Sequence, residues 1–169
     1  FPYIDAMLRG VESAYVAGDL RQAIAVLKMI VGAGSDHAKI LYLLGHFQHK
    51  LGDYQAAEIA LRQSAAIDPK RAVTFNDLGA TLFRLDRDAE GLNFIRQALT
   101  LDPNLAEAEE TDSIWLLRLG RFQEGWRKYE ARYRTAQNAP FKRDLPGEQW
   151  YGEPIHGRTI FLYSEQGMG

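Results

Sequence analysis

Self-similarity at a spacing of 34 residues is the feature that most limits how this chain can fold. Leu44-Gly45, Gly52, Ala57 and Asp68-Pro69 recur as Leu78-Gly79, Asp86, Gly91 and Asp102-Pro103, each 34 positions further on. One period back, Gly18-Asp19-Leu20 and Ala23 fall beneath Gly52-Asp53-Tyr54 and Ala57. One period beyond the third unit, Gly120-Arg121-Phe122 and Gly125 fall on the same columns. The sequence therefore reads as four units, 4–37, 38–71, 72–105 and 106–139. A fixed period of this length means stacked copies of one supersecondary element.

Within a unit the apolar spacing is helical, with a break at its middle. Leu41, Leu44 and Leu51 form one stripe, Gly52-Asp53 interrupts it, and Ala57, Ile59 and Leu61 resume. Gly52 suits the end of one helix and Asp53 the N-cap of the next. Asp-Pro at 68–69 and 102–103 is expected to close one unit and open the next, with proline in the first helical turn. Each unit is a helix–turn–helix hairpin whose apolar face only a neighbouring hairpin can bury. Gly45 opposite Ala57, and Gly79 opposite Gly91, would let the two backbones of a hairpin approach closely.

Composition excludes several classes. With 46% hydrophobic residues the chain is globular, and no apolar run nears the roughly 20 residues of a membrane span. A net charge of −2 argues against a nucleic-acid binder as a whole. The absence of cysteine removes disulfides, thiolate metal sites and cysteine nucleophiles. No nucleophile elbow, P-loop or paired-histidine metalloprotease motif occurs, so the chain is expected to catalyse nothing, to need no cofactor and to lie in the cytoplasm.

Period 34, the early Leu-Gly, the small residue at Ala57 and the closing proline together resemble the tetratricopeptide repeat, over about 135 residues. The resemblance implies an all-α, right-handed α-solenoid of about four hairpins, in which the first helix of each hairpin lines a concave face. Unit positions 2, 5, 9 and 12 share one helical face. They are Lys39, Tyr42, His46 and His49 in the second unit, with Lys50 adjacent, and Val73, Asn76, Ala80 and Phe83 in the third, with Arg84 adjacent. The first unit places Asp5, Leu8, Glu12 and Tyr15 there, and the fourth Glu107, Glu110, Ile114 and Leu117.

A groove that is basic and aromatic at its middle and acidic at its flanks suits a peptide or protein segment, especially an acidic one. Lys39, Lys50 and Arg84 would pair its carboxylates, Asn76 would bond its backbone, and Tyr42 and Phe83 would supply contact area. The columns of the family's clamp for acidic tails do not match here. Nor does the asparagine ladder of O-linked N-acetylglucosamine transferases, whose column reads Arg9, Leu43, Asp77 and Thr111. His46 and His49 share a face but have no third ligand in the pattern, so groove lining is preferred to a metal pair. The interleaved Trp126, Tyr129, Tyr133 and Arg127, Lys128, Arg132, Arg134 read as a helix with a charged outer face, not as a nucleic-acid surface. Glu109, Glu110 and Asp112 suit the start of a helix.

After Asn138 the period stops. Pro140, Pro146, Gly147, Gly152, Pro154 and Gly157 read as a linker, and Thr159–Tyr163 as a buried strand followed by the glycine loop Glu165-Gln166-Gly167-Met168-Gly169. Residues 139–169 thus read as a linker plus an orphan strand, the start of an α/β domain. Together with Gly125-Trp126, Tyr129-Glu130-Ala131-Arg132 and Trp150-Tyr151-Gly152-Glu153-Pro154, this tail resembles bacterial repeat proteins fused to a glycosyltransferase-like domain. That likeness implies a substrate-recognition arm as the alternative to a free-standing interaction module. Edge-to-edge pairing of the Thr159–Tyr163 strand would be a route to self-association.

Overall fold

The computed structural model describes residues 2–34 and 37–135, with single positions at 139, 150, 154, 156, 157 and 159. Its regular elements are helices: α1 Pro2–Val16, α2 Leu20–Gly32, α3 Ala38–Leu51, α4 Tyr54–Ile67, α5 Ala72–Arg84, α6 Asp88–Leu101, α7 Ala106–Arg118 and α8 Phe122–Tyr129. A short 3-10 helix, Glu130–Arg134, follows. The starts of α3, α5 and α7 are 34 residues apart. No strand occurs among the described residues. The strand expected at Thr159–Tyr163 and the loop Glu165–Gly169 lie outside them, apart from Thr159 itself.

The chain divides into two compact units, Phe1–Pro103 and Asn104–Gly169. In the first, three hairpins follow one another: α1 packs on α2, α3 on α4 and α5 on α6, while α2 meets α3 and α4 meets α5. Val11, Ala14, Ala23, Leu27, Ile30, Ile40, Leu44 and Phe47 form one buried cluster across the first two hairpins. Leu61, Leu78 and Leu82 form another across the second and third. Ser64, fully buried on α4, donates its hydroxyl to the Ala38 carbonyl at 2.8 Å, so this buried hydroxyl is satisfied.

The break inside each hairpin is a left-handed residue, followed in the first two hairpins by a side-chain cap. Gly18, Gly52 and Gly120 have φ of 78°, 88° and 75°, and Asp86 takes the same turn at 57° without being glycine. Asp19 and Asp53 follow as N-caps, accepting from the Gln22 and Ala56 amides at 2.9 and 3.4 Å. In the third and fourth hairpins that column holds Arg87 and Arg121, which make no cap bond. Replacing Asp19 by alanine should cost about 1 kcal/mol, the usual value of such a cap, and Asp86→Gly should act in the opposite direction by relieving the left-handed backbone. Urea unfolding followed by helicity reads both.

Pro69 and Pro103 do not occupy the first turn of a helix. Helices α4 and α6 end at Ile67 and Leu101, and their successors begin at Ala72 and Ala106, so Pro69 and Pro103 lie in the connecting turns. Asp68 and Asp102 are the residues after the last helical turn. Their extended or near-extended backbone is the conformation a following proline imposes on its predecessor.

The second helices of hairpins two and three are joined by charge. The Arg62 guanidinium donates to Glu58 at 2.8 Å and to Glu90, and Arg87 donates to Glu58 at 2.8 Å and to Glu90 at 2.5 Å. The hydrogen bond from Arg62, with that from Arg87, holds the Glu90 carboxyl below its ordinary range against the effect of burial. Arg87 has therefore exchanged capping for a bridge to the preceding hairpin.

The Asn104–Gly169 unit contains α7, α8 and the 3-10 helix. Its acidic and basic residues pair internally: Glu109 with Arg134, Asp112 with Lys128, and Glu130 with Arg132. The Arg132 guanidinium lies 4.2 and 4.0 Å from the ring centroids of Tyr129 and Tyr133. The aromatic–basic alternation thus serves local cation–π packing. No described helix is long and apolar enough to cross a membrane.

Candidate functional site

The first helices of the second and third hairpins build one polar face. Helix α3 reads AKILYLLGHFQHKL and contains no acidic residue; α5 contains only Asp77. One stripe of α3 is buried through Leu41, Leu44, Gly45 and Gln48, which leaves Lys39 and Lys50 exposed and Tyr42, His46 and His49 half-buried.

The two histidines, one turn apart, both reach across to α5. The His46 Nδ1 lies 2.7 Å from the Asp77 carboxylate, and the His49 Nδ1 lies 2.9 Å from the Thr81 hydroxyl. Thr81 donates its own hydrogen to the Asp77 carbonyl at 2.6 Å. Its oxygen is thus left to accept, which fixes His49 as the Nδ1–H tautomer. An ionised Asp77 fixes His46 in the same way. The other oxygen of Asp77 accepts from the Asn76 amide at 3.2 Å. Burial above all pushes the His49 imidazole below the usual histidine range; Asp77 opposes this, and the charges of His46, Arg84 and Lys50 add to it.

Aromatic rings frame the cations. The Lys50 ammonium sits 5.6 Å from the centroid of Tyr15, which stacks on Phe47. Arg84 donates from Nε to the Tyr54 hydroxyl at 2.9 Å, and the Tyr54 ring meets His49 edge-on. Tyr42 contacts the His46 ring and lies beneath the Arg71 guanidinium.

Of the eight residues expected in the groove, the structure gathers Tyr42, His46, His49, Lys50 and Arg84 into this cluster. Lys39 is exposed one turn before Tyr42 on the same helix. Asn76 is buried and supports Asp77. Phe83 is placed differently: it is 8% exposed, and its ring fills the position where a Cβ on Gly91 would lie, so it belongs to the packing inside the third hairpin. Asp77, Thr81 and Tyr54 are not picked out by the repeat columns. Their signal is the offset, because His46–Asp77, His49–Thr81 and Tyr54–Arg84 are separated by 31, 32 and 30 residues. That is one period less about one helical turn, the shift between a helix and its counterpart in the next hairpin.

In the fourth hairpin Ile114 and Glu107 are exposed, Glu110 is half-buried and Leu117 packs over Gly125. A cleft of about 320 Å³ in that unit is lined by Glu109, Arg127, Lys128, Glu130, Tyr133 and Arg134. Its Lys128 and Arg134 are already ion-paired. Among the described residues no group of three or more His, Asp or Glu side chains is arranged to hold a metal ion.

The family profile of the tetratricopeptide repeat matches residues 14–75. Protein FlbA of Caulobacter vibrioides is 26% identical over 151 residues, 88% of this chain but 25% of its own length, so this chain spans about a quarter of that relative. A crystal structure of MamA superposes with a TM-score of 0.67 at 19% identity, over 76% of this chain and 75% of that one. An O-GlcNAc transferase of Thermobaculum terrenum superposes with a TM-score of 0.63 at 26% identity, over 67% of this chain and 22% of that one. The 34-residue period of the helix starts, the hairpins and the matched profile agree, and this chain carries tetratricopeptide repeat sequence over residues 14–75.

Proposed function

We propose that this chain is a protein-interaction module whose face of first helices receives an extended acidic segment of a partner. The observation that carries this reading is the charge of the face. Helix α3 supplies Lys39 and Lys50 with no acid, Arg84 adds a third cation from α5, and the one carboxylate between them, Asp77, is engaged by His46 and Asn76. An acidic partner therefore meets positive charge whose neighbouring negative charge is already taken up, and exposed aromatic edges add contact area.

The test is a fluorescence-anisotropy titration of a labelled aspartate-rich peptide at about 0.1 M salt. Lys50→Glu with Arg84→Glu should weaken binding at least about tenfold, or ~1.4 kcal/mol. The wild-type affinity should also fall as salt rises. Unchanged affinity in the double variant, with helicity intact by circular dichroism, would reject the face.

A second reading keeps the same face and makes it the recognition arm of a larger enzyme. Two observations favour it: the likeness to a chain named an O-GlcNAc transferase, of which this chain covers 22%, and the glycine loop at Glu165–Gly169. Under it, a glycosyltransferase-like domain acts on the protein that the face holds.

A further inference from the structure

The two histidines bridging α3 and α5 give the proposed site a property that fixed cations would not. Each ring has Nδ1 committed inward, to Asp77 or Thr81. Each Nε2 has no hydrogen-bond partner among the described residues, and both histidines are only half-buried. In the neutral Nδ1–H tautomer Nε2 is a lone-pair acceptor, which repels a carboxylate. Once protonated it becomes a charged donor pointing away from α5, on the same side chains that flank Lys50 and Arg84.

We propose that an acidic partner binds this face together with protons, His46 and His49 gaining a second N–H at Nε2 and donating it to the partner's carboxylates. The inference rests on the acidic-partner reading above and adds its pH dependence.

The surrounding charges decide the direction. On α3 itself Lys50 and His46 disfavour the charged form of His49, and on α5 Arg84 does the same while Asp77 favours it. Helix α4 offers Tyr54, α1 offers Tyr15 beneath Lys50, and Arg71, from the turn before α5, lies over Tyr42. Arg21 and Lys28 on α2 are exposed and pair with neither ring. Without a ligand, two imidazolium rings one turn apart share a single counter-ion, Asp77, so the second charge is resisted. A bound carboxylate supplies the missing counter-ion and raises the proton affinity of the pair. The sign follows by linkage: the added affinity is fully present below the proton-binding range of the free face and is lost as pH rises through that of the complex.

The experiment uses the full 169-residue chain and the aspartate-rich peptide, whose carboxylates stay ionised above about pH 5.5. From about pH 8 to about pH 6, at constant ionic strength, the Kd should tighten about fivefold, towards the tenfold limit set if binding moves one proton affinity by about one unit. Calorimetry at about pH 7 in two buffers of different ionisation enthalpy should report uptake of up to about half a proton per peptide in the wild type. In His46→Gln with His49→Gln both effects should vanish. His37 and His156 remain in that variant, so the difference isolates the pair. Tight binding with the same Kd at both pH values and no buffer dependence would overturn the proton linkage and leave the acidic-partner reading standing. No binding at either pH would overturn both. The calorimetry needs only the wild type, so the linkage stays testable even if the double variant folds poorly.

Discussion

Gly79→Leu should prevent the third hairpin from closing, and the smaller Gly79→Ala should cost about 2 kcal/mol. An alanine Cβ at this position would lie 2.8 Å from the Gly91 carbonyl oxygen and 2.7 Å from Ile95 Cδ1. Ile95 is fully buried, and the carbonyl belongs to the backbone of α6, so neither can move aside without lifting one helix from the other. Against this stands the intrinsic gain of replacing glycine in a helix, roughly 0.8–1.0 kcal/mol. Contact wins because a backbone atom is involved.

Gly10 is the control. It lies within α1, and a Cβ added to it would meet nothing within 4 Å, so Gly10→Ala should stabilise the chain by roughly 0.5–1 kcal/mol. Urea unfolding gives the two signs, and hydrogen exchange in α5 and α6 locates the loss at Gly79. Two substitutions of equal sign would mean that close approach of the backbones is not what fixes glycine in the Leu-Gly column.

The period made the helix starts and the mid-unit breaks legible, because both depend on local backbone chemistry repeated in each copy. Gly52 as a left-handed terminator and Asp53 as a cap needed no knowledge of the neighbours. The close pairs Gly45–Ala57 and Gly79–Gly91 were legible for a similar reason, since they join two columns of one hairpin. Phe83 was not, and the cause is a trade between two columns. Where the second helix carries Ala57, the residue at position 12 is His49, and it stays on the outer face. Where it carries Gly91 or Gly125, the space above the glycine is filled by Phe83 or Leu117. A column read alone cannot reveal which of these occurs.

Asp77 was missed for another reason. Contacts between successive first helices are set by the stagger of one hairpin on the next, and the sequence period carries no direct trace of that stagger. The turn prolines show the limit of propensity. Asp-Pro suits a turn as well as a helix start, and the position of Ala72 decides for the turn.

The fourth hairpin carries a buried ion pair where the second and third carry leucine, and its removal should follow the rules for such pairs. Asp112 occupies the column of Leu44 and Leu78, and it is 6% exposed; it is paired with the Lys128 ammonium from α8. Lys128 is itself half-exposed, so water screens the pair and the penalty for breaking it is less than the roughly 3–5 kcal/mol of a fully enclosed one. Lys128→Met should therefore cost about 2 kcal/mol, because it leaves a carboxylate in the leucine column without its counter-ion. Asp112→Leu should be neutral or mildly stabilising, since the lysine can turn to solvent while the new side chain takes up the packing of its column. The double variant should exceed the wild type by about 1 kcal/mol, because well-packed apolar groups commonly replace a buried pair at a gain. A double-mutant cycle on thermal or urea unfolding measures all three, with the coupling term expected near ~3 kcal/mol. If Lys128→Met changes stability by less than about 0.3 kcal/mol, then Asp112 is solvated well enough to stand alone, and the hairpin would owe its closure to Ala108, Trp115 and Leu116 instead.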